Sequence, residues 1–459
     1  MTFAAAYPAY AGTRALDDLR AREYPLLDRL GQVYLDYTAG NLVPVTLVDR
    51  HHRLLCDHVL GNPHSMNPAS ALTTTFINQA RMSVLQFFNA DPNEYLVIFT
   101  ANATQALKLV GEAYPFSADG EYLLTFDNHN SVNGIREFAR ARHCPTTYAP
   151  IVLPEMRLDD AVLASHLTRR SAGGHRLFAY PAQSNFSGVQ HPLDWIPLAQ
   201  KHGWDVLLDA AAYTPTNRLD LSTWKPNFVS QSFYKMFGYP TGVGCLIARK
   251  AAVAKLQRPW FAGGTITVAS VQGDKFYLAE GESGFEDGTP DYLSLPAIEF
   301  GLQYIRDIGI DTIHTRVRCL TGWLIERLIT LRHSNGAPLA RVYGPRSCIR
   351  RGGTITFNLY DPKGRALDHR DVEARANAAN IALRTGCFCN PGGGEIALGI
   401  TGTELSSCFH QPGHETHLTI DDFRLCIDGK STGAVRVSLG LASNLEDVEA
   451  FIRFAESFL

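Results

Sequence analysis

The chain has 459 residues, of which 45 are acidic and 42 basic, for a formal net charge of −3, and 45% are hydrophobic. No basic run stands out, so neither nucleic acid nor an anionic membrane is expected as its main partner. No apolar run approaches the about 20 residues of a membrane span, and the N-terminus lacks the basic region of a signal peptide, which favours a cytoplasmic protein. The length predicts two domains, or one large domain with a smaller one appended.

Nine cysteines follow no regular spacing, so we expect mostly reduced thiols, many of them buried. Only Cys387 and Cys389 are close together in the sequence. A C-x-C pair without a second matching pair does not favour a zinc site. The sequence therefore predicts no metal centre.

Short apolar runs bounded by polar or turn residues recur through the first two thirds of the chain. They are YLVIFT (95–100), EYLLTF (121–126), RLFAYP (176–181), DVLLDA (205–210) and GVGCLIA (242–248). Such runs are typical of strands buried on both faces, and helix-like segments such as 102–114 and 131–142 lie between them. This alternation predicts a parallel, helix-covered α/β sheet whose ligands bind at the carboxyl ends of the strands.

A long helical pattern over 288–331 separates these runs from a smaller α+β unit. That unit contains strand-like runs at 353–360 and 434–442 and helical patterns at 371–381 and 444–459. We therefore predict an N-terminal arm over 1–25, a large domain over 26–295 and a small C-terminal domain over 296–459. No glycine pattern has the G-x-G-x-x-G spacing of a dinucleotide site.

Asp209 and Lys235 carry the functional prediction. Asp209 ends the run DVLLD, and Lys235 follows VSQSFY and precedes the turn-rich MFGYPTGVG. Alone, each is typical of a capping, turn or surface residue. Together, at neighbouring strand ends, they are the two anchors that pyridoxal phosphate requires. The lysine amine holds the cofactor covalently, and the aspartate keeps its ring nitrogen charged.

A bound cofactor of this kind also needs a phosphate site. The segment TANATQAL (100–107) follows a strand and opens a helix, so Ala103 and Thr104 can offer backbone N–H groups and a hydroxyl to a phosphate. Ser232 and Thr265 could add hydroxyl donors. Ordinary capping roles stay open for each of them, and for Thr265 alone capping is the favoured interpretation.

Two more polar residues follow apolar runs. His129 could stack on an aromatic ring, and Asn185 could bond to a ring hydroxyl. A solvated loop histidine and a turn asparagine are the structural alternatives.

Six polar residues occur in the order found in a known enzyme group: Thr104, His129, Asn185, Asp209, Ser232 and Lys235. This order resembles the class V aminotransferase group of fold-type I pyridoxal-phosphate enzymes, and within it the cysteine desulfurases. Narrower motifs resemble the desulfurase domain of molybdenum cofactor sulfurases: GNPHS (61–65), SFYKMFGYPTGVG (232–244), FAGGT (261–265), FEDGTPDYLS (285–294), RTGCFCNPG (384–392) and GAVRVSLG (433–440). The resemblance implies a large domain with a mostly parallel seven-stranded sheet, a smaller α+β C-terminal domain carrying the Cys389 loop, and a homodimer.

The resemblance also implies roles for individual residues. Its cofactor-binding set is Ala103, Thr104, His129, Asn185, Asp209, Ser232, Tyr234, Lys235 and Thr265. In that set Lys235 would hold the cofactor and move the Cα proton, and Asp209 would pair with the ring nitrogen. His129 would stack on the ring, Asn185 would bond its 3-hydroxyl, and Thr265 would reach the site of a dimer mate.

Substrate contacts are implied in the same way. Arg384 precedes Cys389 by five residues, which matches a carboxylate-binding arginine paired with a sulfur-accepting cysteine. Arg436 and His64 are the further substrate contacts. Tyr234 and Ala212 stand where many desulfurases have histidine and glutamine, which fits the molybdenum cofactor sulfurase branch.

The sequence thus predicts a pyridoxal-phosphate-dependent cysteine desulfurase that releases alanine from L-cysteine and leaves a persulfide on Cys389. The sulfur acceptor, a protein or a cofactor, and the choice between cysteine and another thiol or selenol amino acid stay open. One alternative is a C–S lyase, epimerase or aminotransferase that acts on another amino acid without a persulfide. A second is a non-catalytic scaffold that relays sulfur.

Overall fold

A computed structural model describes residues 2–169, 173–411, 413, 417–419, 422–423, 426 and 432–459. Its strands are β1 (Val33–Tyr34), β2 (Tyr95–Thr100), β3 (Glu121–Thr125), β4 (Thr146–Ala149), β5 (Ile151–Val152), β6 (Arg157–Leu158), β7 (Arg176–Pro181), β8 (Asp205–Asp209), β9 (Phe228–Ser232), β10 (Gly244–Arg249), β11 (Ile266–Ser270), β12 (Lys275–Leu278), β13 (Ala340–Tyr343), β14 (Thr354–Leu359), β15 (Ile381–Ala382), β16 (Arg384–Gly386) and β17 (Ala434–Ser438).

The helices alternate with these strands along much of the chain. They are α1 (Phe3–Ala6), α2 (Ala15–Glu23), α3 (Pro25–Leu30), α4 (Val45–Asp57), α5 (Pro68–Phe87), α6 (Ala103–Ala113), α7 (Asn130–Asn133), α8 (Ile135–Ala141), α9 (Asp160–Leu167), α10 (Trp195–Lys201), α11 (Phe233–Phe237), α12 (Lys250–Val253), α13 (Pro296–Ile308), α14 (Ile310–Thr330), α15 (His369–Ala378), α16 (Pro391–Leu398), α17 (Gly402–Phe409) and the terminal helix Leu445–Glu456. Two 3-10 helices lie at Pro8–Thr13 and Gly281–Phe285.

Seven strands form the central sheet in the order β2-β10-β9-β8-β7-β3-β4. Strand β10 is antiparallel to both neighbours, β2 and β9, and the pairings among β9, β8, β7, β3 and β4 are parallel. Every strand except β10 therefore runs in one direction, and their carboxyl ends meet at the same edge. The predicted mostly parallel seven-stranded sheet is confirmed.

The sheet is covered on both faces. In β2, Val97 and Phe99 pack into one hydrophobic cluster, whereas Leu96 and Ile98 pack into another. Successive residues of a strand point to opposite faces, so an uninterrupted apolar run is buried on both. This explains why the apolar runs of the sequence locate β2, β3, β7, β8 and β10 well.

Strand β9, Phe228–Ser232, was not among the apolar runs. Its sequence FVSQS contains three polar residues, yet every residue of the strand is buried. Ser230 and Gln231 are inaccessible to solvent because they lie in the middle of the sheet, where hydrogen bonds to Asp209 and Thr214 satisfy them. These polar residues belong to the strand that ends at Ser232, on the wall of the pocket described below.

A second, antiparallel sheet of four strands follows in the order β13-β14-β17-β16. Before it, the predicted long helical connection is two helices, α13 and α14, which meet at Gly309 with a φ of 86°. The N-terminal segment also joins this part of the molecule, since β1 pairs with β15 and Asp36 bridges to Ser438. The division of the chain near 295, at the start of α13, stays a prediction.

Residues 2–25 pack against the rest of the molecule. Phe3, Leu16 and Leu19 belong to the main hydrophobic cluster. Arg20 is 5% exposed and donates hydrogen bonds to Asp447 on the terminal helix. Over the residues described above, no helix is both long and apolar enough to cross a bilayer.

Most of the cysteines are free thiols, as expected. Cys408 and Cys426 form a disulfide, and the other seven are free. Among the free thiols, Cys144, Cys245 and Cys319 are buried, whereas Cys387 and Cys389 are exposed.

Candidate active site

A pocket of about 290 Å³ opens at the carboxyl edge of the central sheet. The predicted residues on its wall are Ala103, Thr104, His129, Asn185, Asp209, Ser232, Tyr234 and Lys235. They come from the ends of β2, β3, β7, β8 and β9, which are scattered over more than a hundred residues of sequence but adjacent at this edge. The parallel sheet is what brings them together.

Lys235 lies on the short helix α11 directly after β9. Burial lowers the pKa of its amine, which the nearby Asp209 and Cys389 partly oppose. Within the described part of the chain its Nζ has no hydrogen-bond acceptor in range. A partly buried, weakly basic and unpaired amine at a pocket wall is suited to condense with a carbonyl group.

Asp209 ends β8 on the same wall. Its Oδ1 accepts hydrogen bonds from the Ala211 N–H at 3.1 Å and the Ser230 hydroxyl at 3.1 Å. No described residue donates to its second oxygen, so one carboxylate oxygen is left for a cationic group in the pocket. A carboxylate with a free oxygen is suited to pair with the protonated ring nitrogen of pyridoxal phosphate.

The start of α6 also lines the pocket. The Ala103 N–H donates to the Ser232 hydroxyl at 2.8 Å, and the Thr104 hydroxyl lies 2.7 Å from that of Ser131. Asn102 caps the helix by accepting from the Gln105 N–H. Hydroxyls and N–H groups gathered at the N-terminus of a helix form a site for an anion such as phosphate.

His129 follows β3 and forms the N-cap of α7. Its Nδ1 accepts the Ser131 N–H at 3.1 Å, so the proton of the neutral ring is on Nε2. Burial, and then the charge of Lys235, lower the pKa of His129. The ring is therefore held neutral and fixed on the pocket wall, which suits stacking against a flat ligand.

Cys389 lies in a turn that contacts this wall through Asn185. The Asn185 Nδ2 donates to the Phe388 carbonyl at 2.7 Å, and the Cys389 carbonyl accepts the Asn130 N–H at 2.7 Å. Cys389 is close enough to Lys235 for its charge to oppose the lowering of the Lys235 pKa. A free, exposed thiol is thus positioned beside the same pocket.

The two predicted substrate arginines do not lie on the pocket wall. They face each other across β16 and β17, and both bind Asp36. Arg384 donates to Asp36 Oδ2 through Nε at 3.0 Å and Nη2 at 2.7 Å, and Arg436 donates to Oδ1 at 3.1 Å. Arg384 is half-exposed, whereas the Arg436 side chain is 5% exposed.

Two predicted residues lie away from the pocket wall. The Thr265 hydroxyl donates to the Ala262 carbonyl at 2.9 Å, as a turn residue would. His64 lies on an exposed loop beside Gly264. Their roles toward a cofactor or substrate stay predictions.

Asp36 and Asn390 were not singled out from the sequence. Asp36 follows a two-residue strand and has no local signal, because its partners are about 350 and 400 residues away. Asn390 did have a signal, since an Asn before Pro is a common helix N-cap. Its side chain accepts the Gly393 N–H at the start of α16.

These residues fit pyridoxal phosphate by their chemistry. An unpaired amine, a carboxylate with a free oxygen, a flat neutral imidazole and an anion-binding helix start line one pocket. The fold is that of the fold-type I pyridoxal-phosphate enzymes.

The family follows from comparison with known proteins. The class-V aminotransferase model matches residues 33–451, and the chain belongs to this family. It is 37% identical to the molybdenum cofactor sulfurase of Solanum lycopersicum over 98% of this chain and 58% of that protein. It is also 37% identical to that of Homo sapiens over 96% of this chain and 51% of that protein. The chain thus spans about half the length of these relatives.

Solved structures agree on the fold. The apo cysteine desulfurase of Thermococcus onnurineus superposes with a TM-score of 0.78 and 24% identity, covering 96% of this chain and 97% of that one. The cystine C–S lyase C-DES, in complex with cysteine persulfide, superposes with a TM-score of 0.71 and 19% identity, covering 95% and 100%. At these identities the likeness supports the architecture alone.

Proposed function

We propose that this chain is a pyridoxal-phosphate-dependent cysteine desulfurase, which takes sulfur from L-cysteine as a persulfide on Cys389 and releases alanine. The observation that carries the proposal is the juxtaposition of Lys235, Asp209 and a cysteine turn at one pocket. The likeness to molybdenum cofactor sulfurases supports it.

Each wall of the pocket has a part in holding the cofactor. Lys235 would hold it covalently, Asp209 would face its ring nitrogen and His129 its ring, and Ala103, Thr104 and Ser232 would bind its phosphate. When bound, pyridoxal phosphate supplies an electron sink at the Cα of the amino acid. Because its pKa is lowered by burial, Lys235 can take and return the Cα proton near neutral pH.

Cys389 carries the sulfur transfer. Its thiolate attacks the sulfur of the substrate, so an S–S bond forms as the Cβ–S bond breaks. The electron pair of that bond stays with Cβ, which takes up a proton and becomes the methyl group of alanine. Cysteine and the Cys389 thiol thereby become alanine and a Cys389 persulfide, and an acceptor, or an added thiol, removes the sulfur.

Arg384 would bind the substrate carboxylate. Its Nε and Nη2 are used by Asp36, while its Nη1 has no acceptor among the described residues. Arg436 is buried, donates to Asp36 and to the Asn185 carbonyl, and stacks over the Phe388 ring at 4.7 Å. We therefore assign the direct carboxylate contact to Arg384 and a supporting contact to Arg436.

A homodimer is also proposed. Apolar side chains are exposed on the hairpin of β11 and β12, with Val268 and Tyr277 each 56% exposed and Val271 fully exposed. Such a surface is typical of a protein–protein contact. Sedimentation at micromolar concentration should give twice the chain mass, and the double variant Val268→Lys/Tyr277→Lys should shift it to the single mass. A cytoplasmic location stays a prediction.

The test of function compares two cysteines of the same loop. With L-cysteine and a thiol reductant, the wild type and Cys387→Ser should both form alanine, whereas Cys389→Ala should lose at least about 100-fold in alanine formation. Alanine formation at the full rate by Cys389→Ala would overturn the persulfide mechanism. Pyruvate and sulfide in place of alanine would favour a C–S lyase.

The cofactor is tested separately. Purified protein should absorb as a pyridoxal-phosphate enzyme does, and borohydride should bleach the band and fix the label on Lys235. Colourless protein that cannot be reconstituted would leave the non-catalytic scaffold as the remaining candidate.

A further inference from the structure

The backbone around Cys389 has an unusual conformation. Phe388 has a φ of 57° and Cys389 a φ of 54°, so two consecutive non-glycine residues are left-handed. Each such residue costs about 1–2 kcal/mol relative to a right-handed conformation. Contacts from outside the turn must therefore hold it in place.

Two hydrogen bonds hold the carbonyl groups of this turn. The Asn185 Nδ2 binds the Phe388 carbonyl, and the Asn130 N–H binds the Cys389 carbonyl, each at 2.7 Å. The Phe388 ring is 8% exposed and packs on Phe186 with ring centroids 5.4 Å apart. The turn is thus fixed by both its main chain and its aromatic side chain.

Asn390 is fully buried directly after this turn, and every group of its amide is used. Its Nδ2 donates to the Asp127 carbonyl at 2.7 Å and to Asn185 Oδ1 at 2.9 Å. Its Oδ1 accepts the Gly393 N–H at 2.9 Å. The side chain therefore joins the end of β3, the pocket wall and the start of α16.

The bond to Asn185 also determines how that amide is oriented. Because Asn390 donates to its Oδ1, the Asn185 Nδ2 has to face the Phe388 carbonyl. A continuous set of hydrogen bonds thus runs from Asn390 through Asn185 to the residue before Cys389. Asn185 is at the same time part of the pocket wall.

We propose that Asn390 is a positioning residue for sulfur transfer, which acts by locking the Phe388–Cys389 turn so that the Cys389 thiol meets substrate sulfur without a loop movement. The inference rests on the proposed function and adds a residue to it. A misplaced nucleophile slows the chemical step while substrate binding at the rest of the pocket continues.

The first variant is Asn390→Ser. Serine keeps a good N-cap acceptor for α16 but removes the Nδ2 donor. We expect kcat for alanine formation to fall about 10- to 100-fold, with the KM for L-cysteine changed less than about twofold. Asn390→Asp keeps the side-chain size and also lacks the amide donor, so its kcat should likewise fall while its KM changes little. It therefore serves if the serine variant folds poorly.

Asn444→Ser is the matched control. Asn444 caps the terminal helix through the Asp447 N–H, in the same way as Asn390 caps α16, but contacts neither the pocket nor the Cys389 turn. It should retain the wild-type kcat. In the absence of cofactor, hydrogen exchange of the Asn130 amide, which binds the Cys389 carbonyl, should accelerate in Asn390→Ser and not in Asn444→Ser.

A spectral titration with L-alanine separates positioning from a general loss of the site. Alanine binds the cofactor and the carboxylate site but has no sulfur, so its spectral response should stay within twofold of wild type in both Asn390 variants. An unchanged kcat, or an equal loss of the alanine response, would overturn the inference. If the wild type itself forms no Cys389-dependent alanine, the proposed function fails instead.

Discussion

At the scale of single residues, the environment of each charged group decides its chemistry. Lys235 has a pKa lowered by burial and no acceptor among the described residues, which suits it to the proposed roles of nucleophile and base. Arg436 is also buried, but its guanidinium is held in place by hydrogen bonds to Asp36 and to the Asn185 carbonyl. The two buried cations therefore differ in whether they have hydrogen-bond partners in the protein.

Without cofactor, Lys235→Met should raise the free energy of unfolding at pH 7, because burial in the wild type disfavours the protonated form that the amine has in the unfolded chain. The pKa of the folded lysine lies below that of an unfolded one, so between these values the unfolded chain binds the proton more readily and wild-type stability rises with pH. The difference in unfolding free energy between Lys235→Met and the wild type should therefore shrink as the pH rises toward 10.5. Urea unfolding at several pH values measures it. A pH-independent difference would contradict it, and exposed Lys201→Met is the control.

Asp36→Ala should destabilise the protein by about 3–5 kcal/mol, because it leaves the buried Arg436 without its carboxylate. The same change should raise the KM for L-cysteine, since Arg384 loses the partner that orients it. Asp28→Ala is the control. Asp28 is exposed and Arg20 keeps Asp447, so a loss below about 1 kcal/mol is expected. If Asp36→Ala and Asp28→Ala lose the same free energy of unfolding in denaturant, the buried Asp36–Arg436 pair is not the cause of the loss.

At the scale of elements, α16 sets the position of the Cys389 turn. Its first turn is the sequence NPGGG, and two of these glycines are needed for close approach. A Cβ on Gly392 would lie 1.9 Å from the Phe126 carbonyl oxygen, and one on Gly393 would lie 2.8 Å from Asn390 Oδ1. The helix is therefore packed backbone to backbone against the end of β3.

Gly392→Ala should push α16 away from β3 and lower kcat for alanine formation at least about tenfold, with a loss of about 1–3 kcal/mol in stability. Gly402→Ala is the matched control, because Gly402 is in the first turn of α17 and a Cβ there meets nothing within 4 Å. It should keep full activity and match or slightly exceed wild-type stability. Activity assays and thermal unfolding of both variants test this difference, and wild-type kcat in Gly392→Ala would refute it.

At the scale of the whole molecule, segments that are distant in sequence contact each other beside the site. The N-terminal segment supplies Asp36 to the arginines of β16 and β17, and residues before it pack into the main cluster. The predicted arm over 1–25 stays a prediction, and within it Arg20 is buried and bound to Asp447 of the terminal helix. We therefore expect contacts of this segment to contribute to the free energy of unfolding of the whole molecule.

Phe3→Ala tests the contribution of the N-terminal segment. Phe3 is 8% exposed and its ring packs edge-on to Tyr10 and Trp323. We expect a loss of about 3–5 kcal/mol in the free energy of unfolding. Val59→Ala, at a position that is 80% exposed and outside the β11–β12 hairpin, should cost less than about 0.5 kcal/mol. A similar small loss for Phe3→Ala would mean that the segment is peripheral.

Most of the central sheet could be predicted from the sequence, because strands buried on both faces are recorded as uninterrupted apolar runs. The start of β2 and the bounds of β7 agree with the runs to the residue. The apolar runs did not predict the polar strand β9 or the antiparallel direction of β10. Apolar content does not encode the direction of a strand, and polar residues in mid-sheet are stabilised by partners elsewhere in the chain.

By itself, the sequence determined the α/β class and the residues that follow the strands: Thr104, His129, Asn185, Asp209 and Lys235. A strand end is a local property, and a parallel sheet gathers strand ends at one edge. Only the tertiary structure decided that Asp36 binds both arginines and that Asn390 joins Asn185 to the Cys389 turn. These contacts span hundreds of residues, and hydrogen bonds between distant segments depend on how the packed elements approach each other.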